Sequence, residues 1–149
     1  MEFWVVRAGS NGEYEQEFLG QDKVAISFGI STDLSGKSLD EIKQIYAEEH
    51  GDENKNRIGN RASQMHRFVE KINIGDMIAV PFKTSSSIMI GTVTSSYVYE
   101  KDKEDIKHKR SVTWGKTFPR SRFDDDILEF MQNQPLARPE HDRSRHIAV

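Results

Sequence analysis

Apolar residues come in short bursts separated by clusters of Gly, Ser, Asn and Asp, and each burst predicts one element. Residues 3–7, opening Phe3-Trp4-Val5-Val6, predict a first strand that Ala8-Gly9-Ser10-Asn11-Gly12 stops. Residues 13–19 predict a short helical turn, broken by Gly20-Gln21-Asp22. Residues 23–28 predict a second strand with Val24, Ile26 and Phe28 on one face, followed by a loop over 29–36. Ser38-Leu39-Asp40-Glu41 is a capping box, and the helix it opens carries Leu39, Ile42, Ile45 and Tyr46 on one stripe. After a polar break over 51–56, Ile58, Ala62, Met65, Phe68 and Val69 recur at helical spacing. Strands are predicted over 77–81 and, after a polar turn over 82–87, over 87–99, where Gly91 suggests a bulge or bend. His108, Arg110, Val112 and Trp114 alternate with Lys109, Ser111 and Thr113, a period-two strand that Pro119 ends. Residues 124–131 predict a last short helix.

Strand, strand, two helices and three strands, with a bend at Gly91, point to an α+β fold. The expectation is a small mixed β-barrel of about five or six strands with two or three flanking helices. Residues 1–131 form the predicted domain, and 132–149, polar with Pro135 and Pro139, a loosely packed tail or linker.

Composition sharpens this picture in three ways. A length of 149 residues fits one domain, and eight Phe, four Tyr and two Trp supply a core despite a mean hydropathy of −0.69. No apolar run approaches the ~18 residues of a membrane span, and the start of the chain reads as a strand and not a signal peptide. A membrane partner is therefore not expected. The chain contains no cysteine, which removes disulfide scaffolds, thiol nucleophiles and Cys-ligated metal sites, and fits a reducing cytoplasm.

Charge is unevenly spread. Between residues 107 and 122 stand six basic residues and no acid: Lys107, Lys109, Arg110, Lys116, Arg120 and Arg122. Removing these six from the 21 basic residues leaves 15 against 24 acidic ones, a net of −9. A cationic segment on an acidic body is the footprint of an anion-binding surface, although a solvated charged strand has the same composition.

Catalytic constellations are missing. The five histidines show no ligand spacing, and there is no Gly-x-Ser-x-Gly elbow or phosphate-cradling glycine loop. Acid-x-Lys pairs at Asp105-Ile106-Lys107 and Glu41-Ile42-Lys43 are what chance supplies in a chain with 30% charged residues. Asp124-Asp125-Asp126 could hold a hard cation, but as a helix start the positive end of the helix dipole explains it better. No catalytic residue, metal or cofactor is assigned, and a binding domain is expected in place of an enzyme.

Phe3-Trp4-Val5-Val6-Arg7-Ala8-Gly9 resembles the opening strand of the N-terminal domain of Mrr-like restriction proteins. Similar, and in the same order, are Ala25-Ile26-Ser27-Phe28 with Asp33-Leu34-Ser35, Ile74-Gly75-Asp76-Met77-Ile78-Ala79-Val80-Pro81, and Ile90-Gly91-Thr92-Val93. His108-Lys109-Arg110-Ser111-Val112-Thr113-Trp114 with Pro119-Arg120-Ser121 completes the set. That domain is similar to the EVE and YTH domains of the PUA-like superfamily. The resemblance implies a barrel that extracts one nucleotide and holds its base in an aromatic-walled pocket, selecting modified DNA for a nuclease domain. This chain has no room for the nuclease, and Phe28 stands where a tryptophan is expected.

Base extrusion costs a few kcal/mol, and stacking returns ~1–3 kcal/mol per aromatic, so the pocket needs aromatic walls near strand ends. Phe28 and Trp114 qualify; core packing is the competing role for both. Arg7 could bond a base edge or phosphate, or form a surface ion pair. Asp33 could accept from an exocyclic amine, or bond its own turn. Phe82 and Lys83 flank the turn at Thr84-Ser85-Ser86-Ser87. The predicted base-pocket set is Arg7, Ser10, Ser27, Phe28, Asp33, Phe82 and Trp114. The predicted backbone contacts are Lys83 and the six basic residues of 107–122. Trp4 is assigned to the core, and of Tyr97 and Tyr99 one could line the pocket although barrel packing also accounts for them. The expected partner is DNA carrying methylated adenine or a modified cytosine. RNA binding by a module of the same superfamily, or a protein-interaction domain with an acidic partner, are the rival readings.

Overall fold

The computed structural model describes residues 2–9, 11–51, 54–119 and 121 and, as backbone, 146–147. The expectations for Ser10, Arg120, Arg122, Asp124-Asp125-Asp126 and the last helix lie outside the described residues. The elements run β1 (Phe3–Val6), α1 (Glu15–Gly20), β2 (Lys23–Ile26), α2 (Leu39–His50), α3 (Lys55–His66) and a π-helical turn (Arg67–Lys71). They continue with β3 (Met77–Pro81), β4 (Ser87–Val93), β5 (Val98–Tyr99), β6 (His108–Pro119) and β7 (His146–Ile147). Six strands are hydrogen-bonded in the order β2-β6-β4-β3-β1-β7, and β5 joins β6 off this path. β1 is parallel to β3 and β7, and every other pairing is antiparallel. This curled mixed sheet forms a half-barrel with three helices, the α+β architecture that the element order predicts.

β6 is the strand that bends the sheet. Its first residues lie between β2, with Ile26 opposite His108, and β5, with Val98 opposite Lys109. Its second half pairs with β4. The register slips by one between Met89–Thr117 and Gly91–Trp114, so the extra residue sits on β6 beside Gly115 and Lys116. The bend therefore belongs to β6 and not to Gly91. Gly91 instead makes room for an aromatic ring. A Cβ there would stand 2.8 Å from the Trp114 ring, which lies across its bare Cα.

The predicted strand over 87–99 is split at 94–97. Ser95 is the reason, since its Oγ accepts the Ser111 N–H at 2.8 Å and a side chain thus replaces a rung of the ladder. At the other end of the chain, Val5 and Val6 pair with His146 and Ile147. His146 and Ile147 thus add an edge strand to the sheet.

Both sheet faces are buried, which explains why β1 and β3 read as unbroken apolar runs. Trp4, Val6, Ile78 and Val80 pack against Phe18, Ile42, Met65 and Phe68 on the helix side. Phe3, Val5, Met77 and Ala79 pack with Ile88 and Ile90 on the other. Besides Arg110, three charged groups are buried beside these clusters. Asp76, 3% exposed, accepts from Trp4 Nε1 at 2.9 Å, Asn73 N–H at 2.8 Å and Glu2 N–H at 3.0 Å. Lys23, 1% exposed, meets Glu17 at 2.8 Å and Glu100 at 3.2 Å. Glu15, in the first turn of α1, accepts the Lys83 N–H at 2.7 Å and the Thr84 hydroxyl, and so fastens the β3–β4 turn.

Removing a buried acceptor strands its donors, at about 1–3 kcal/mol per group. Asp76→Ala is expected to lower the free energy of urea unfolding by about 3 kcal/mol, because the carboxylate serves the Trp4 indole N–H and two backbone N–H groups at once. A loss below about 1 kcal/mol would show that Asp76 does not tie β1 to β3.

Candidate functional site

The crossover from β2 to α2 begins with two left-handed residues, Phe28 at φ 48° and Gly29 at φ 75°. A bulky side chain at positive φ is strained, so the surroundings must impose it. The end of α2 does so. His50 Nε2–H donates to the Phe28 carbonyl at 2.6 Å, and a Cβ on Gly29 would lie 2.4 Å from the His50 ring. Glu49 accepts the Ser31 N–H at 3.1 Å and the Thr32 hydroxyl at 3.1 Å. The Arg61 guanidinium sits 4.8 Å above the Phe28 ring. Capping of α2 by Ser38 and Glu41, as the sequence predicts, fixes the helix that carries these clamps.

The inner end of the crossover is fixed by His108, which is fully buried. Its Nε2 faces the Ile30 carbonyl at 2.9 Å, which requires a proton on that nitrogen. Its Nδ1 then accepts from the Tyr97 hydroxyl at 2.7 Å, and Tyr97 Oη accepts the Leu34 N–H at 3.2 Å. These partners assign a neutral imidazole in one tautomer. The Tyr97 ring stacks on His108 at 5.8 Å and 13°.

Beside Tyr97 lies a widely open cavity of about 370 Å³, whose lining includes Tyr97, Ile74, Ser35, Ser96, Asn73, Glu70 and Arg110. Ile74 is 66% exposed, an apolar side chain left at the rim. A second cavity of about 330 Å³, lined by Trp4, Arg67, Lys71, Glu2 and Asn73, adjoins it through Asn73.

Arg110 departs furthest from its expected role. The alternation of β6 turns it inward with His108 and Val112, and it is 3% exposed. Its Nε donates to Phe68 O at 2.7 Å, one terminal nitrogen to Val69 O at 2.7 Å and the other to Ser95 O at 3.3 Å. Burial pushes its pKa down to about 10, with Asp76 and Glu70 opposing that fall, so it stays charged at neutral pH. A buried guanidinium with three of its five N–H donors on carbonyls is a strut for the π-turn and not a phosphate contact.

The other expected residues are dispersed. Ile26 pairs with His108, while Trp114 lies six residues further along β6, about 20 Å of strand. Phe28 lies beyond Ile26, so one base cannot touch both Phe28 and Trp114. Trp114 is half-buried and donates its Nε1–H to Phe18 O at 3.0 Å. Phe82 is 6% exposed and belongs to the core. Arg7 is exposed just past β1, and Ser27 is half-buried in the turn that Ile30 N–H closes. Asp33 accepts from the Ser35 N–H at 3.0 Å and hydroxyl at 2.7 Å, and those two bonds hold its carboxyl below the usual range. Lys109 faces Glu100 at 3.9 Å, and Lys107 reaches the Lys101 carbonyl at 3.4 Å. Lys83 and Lys116 are exposed. Of the predicted site residues, Arg110 lines the cavity beside Tyr97, without reading anything.

Two features of the site are hidden in the sequence. Tyr97 is legible there only as a strand aromatic, although the small polar run Thr94-Ser95-Ser96 before it marks the break that turns its ring toward the cavity. The other is a second basic stretch, on α3 and the π-turn, whose five charges are interspersed with neutral residues.

A family model described as Domain of unknown function (DUF8426) matches residues 4–138. The chain belongs to the DUF8426 family. No curated protein and no solved structure matches the chain. The helices of this DUF8426 domain contain none long and apolar enough to cross a membrane among the described residues.

Burial holds the His108 pKa below its ordinary 6.5, against the Ile30 hydrogen bond and the charges of Asp33 and Glu49, with Lys107 reinforcing the fall. The unfolded chain therefore binds a proton near pH 6.5 that the folded chain refuses until lower pH, and stability rises with pH across that interval. The contribution is full above 6.5 and is lost as pH falls through the folded value. Urea unfolding of the wild type is expected to weaken more between about pH 7.5 and 5.5 than that of His108→Gln. Parallel pH curves for the two proteins would refute this assignment.

Proposed function

We propose that this domain is a non-catalytic nucleic-acid-binding module that holds one extruded, modified DNA base in the cavity beside Tyr97. The observation that carries the reading is that cavity. At about 370 Å³ it falls at the small end of ligand sites, which run from about 300 to 1,000 Å³, and suits a single ring system. Its lining combines the aromatic Tyr97, the apolar Ile74 and the polar Ser35, Ser96 and Asn73, with Glu70 and Arg110 as its charged members. A base needs that combination: stacking for its face, hydrogen bonds for its edge and apolar contact for an added methyl.

The half-barrel and the ordered resemblance to the N-terminal domains of Mrr-like restriction proteins, and through them to EVE and YTH domains, support the same reading. On this view the domain targets a defence or restriction system in the cytoplasm, and any nuclease resides in another domain or chain. Neither cofactor nor membrane enters the proposal.

The test compares fluorescent duplexes containing N6-methyladenine, 5-methylcytosine or neither. The wild type is expected to prefer one modified duplex by at least about tenfold. Ser96→Trp, which places an indole at the cavity wall from an exposed position, is expected to abolish that preference while leaving affinity for the unmodified duplex within about twofold. Equal affinity of the wild type for all three duplexes defeats the reading. Tighter binding of single-stranded RNA carrying the same methylated base transfers it to RNA.

A further inference from the structure

Cations also collect on the helix that an apolar stripe marks in the sequence. From residue 55 to 71, along α3 and the π-turn, stand Lys55, Arg57, Arg61, Arg67 and Lys71 with a single acid, Glu70. Setting these aside leaves 16 basic residues against 23 acidic, a net of −7, so the stretch is a cationic ridge on an acidic body. The buried side of the helix is Ala62, Met65, Phe68 and Val69, and of the five cations Arg61 lies over the Phe28 ring. Lys55, Arg57 and Lys71 are exposed, and Arg61 and Arg67 are half-exposed.

The placement of the first two runs against local stability. Helix N-termini favour acids, and α2 follows the rule with Asp40 and Glu41 in its first turn. The first turn of α3 holds no acid and carries Lys55 and Arg57 instead. Two cations at the positive end of a dipole disfavour an isolated helix and favour one that meets an anion. At the far end, Arg67 and Lys71 line the smaller cavity, which shares Asn73 with the cavity beside Tyr97. The basic stretch therefore ends beside the proposed base site, whose lining also includes Glu70.

We propose that the solvent face of α3 and its π-turn is the track for the phosphate backbone, displacing the β6 segment from that role. This inference rests on the base-reading proposal for the identity of its polymer, and charge complementarity selects nucleic acid as the occupant. The sixteen steps from Lys55 to Lys71 rise about 24 Å, the length of about seven base pairs of duplex. Of the described cations of the β6 segment, Lys116 is exposed and the other three are engaged. Lys109 faces Glu100, Lys107 reaches a carbonyl, and Arg110 is a strut.

The decisive experiment is the salt dependence of binding to a duplex of about 20 base pairs with N6-methyladenine at its centre, measured between about 50 and 200 mM salt. In the double variant Lys55→Gln/Lys71→Gln, the slope of log affinity against log salt is expected to shrink by about 1.8, or about 0.9 per phosphate contact. The ratio of modified to unmodified affinity is expected to stay as in the wild type. Lys107→Gln/Lys109→Gln is expected to leave the slope unchanged. A slope that falls in the β6 variant and holds in the α3 variant overturns the track and leaves base reading intact. Loss of slope in the α3 variant of a protein that ignores the modification supports the track and defeats base reading alone. Absence of binding to any duplex, including the case where the protein is captured only by phosphatidylserine vesicles, overturns the track.

Discussion

A buried guanidinium organises this fold. Arg110 comes from the middle of the sheet and bonds the carbonyls of Phe68 and Val69 at the end of the α3 helix and of Ser95 in the break between β4 and β5. Those carbonyls are groups that a helix end and a broken ladder leave without partners. A cation is the suitable donor for the helix end, because the macrodipole there is negative. Asp76 lies close enough to favour the charged form, and Asp76 is itself bonded to Trp4, Asn73 and Glu2. Two polar centres thus sit in the apolar core: Arg110 ties the sheet to the π-turn, and Asp76 ties the starts of β1 and β3.

The cavity beside Tyr97 adjoins both centres. Asn73 and Ile74, which line it, follow closely on the π-turn, and π-turns recur at functional sites. The opposite wall is set by the Leu34–Tyr97–His108–Ile30 relay, which holds the crossover loop down while α2 imposes left-handed backbone on Phe28. The site is therefore built from fixed polar bonds on both sides, with the Tyr97 ring between them.

Elements whose signal is local are legible in the sequence. The Ser38 capping box, the apolar stripe of α3, the strand at Met77–Pro81 and the alternation of β6 all appear as their patterns predict. What is illegible depends on partners distant in sequence. The same alternation that identifies β6 places Arg110 on the face of His108 and Val112, yet its charge suggests solvent; the helix carbonyls that make burial tolerable lie about forty residues away. Phe28 and Trp114 each stand near a strand end, but register separates them along β6. The basic stretch on α3 is harder to see because Asp52 and Glu53 precede it and Glu70 interrupts it, whereas the segment 107–122 holds no acid.

The role of Arg110 as a strut is tested most directly by the exchange of its Nε–H with water, followed by nitrogen-resolved NMR as pH is raised from about 6 to 8.5. A strut predicts that this one side-chain signal persists and stays sharp when those of exposed arginines such as Arg7 have vanished, since its proton is held on the Phe68 carbonyl inside the core. An Arg110 signal that disappears along with the exposed ones would contradict this role, and would return the residue to the surface where its charge alone suggests it belongs.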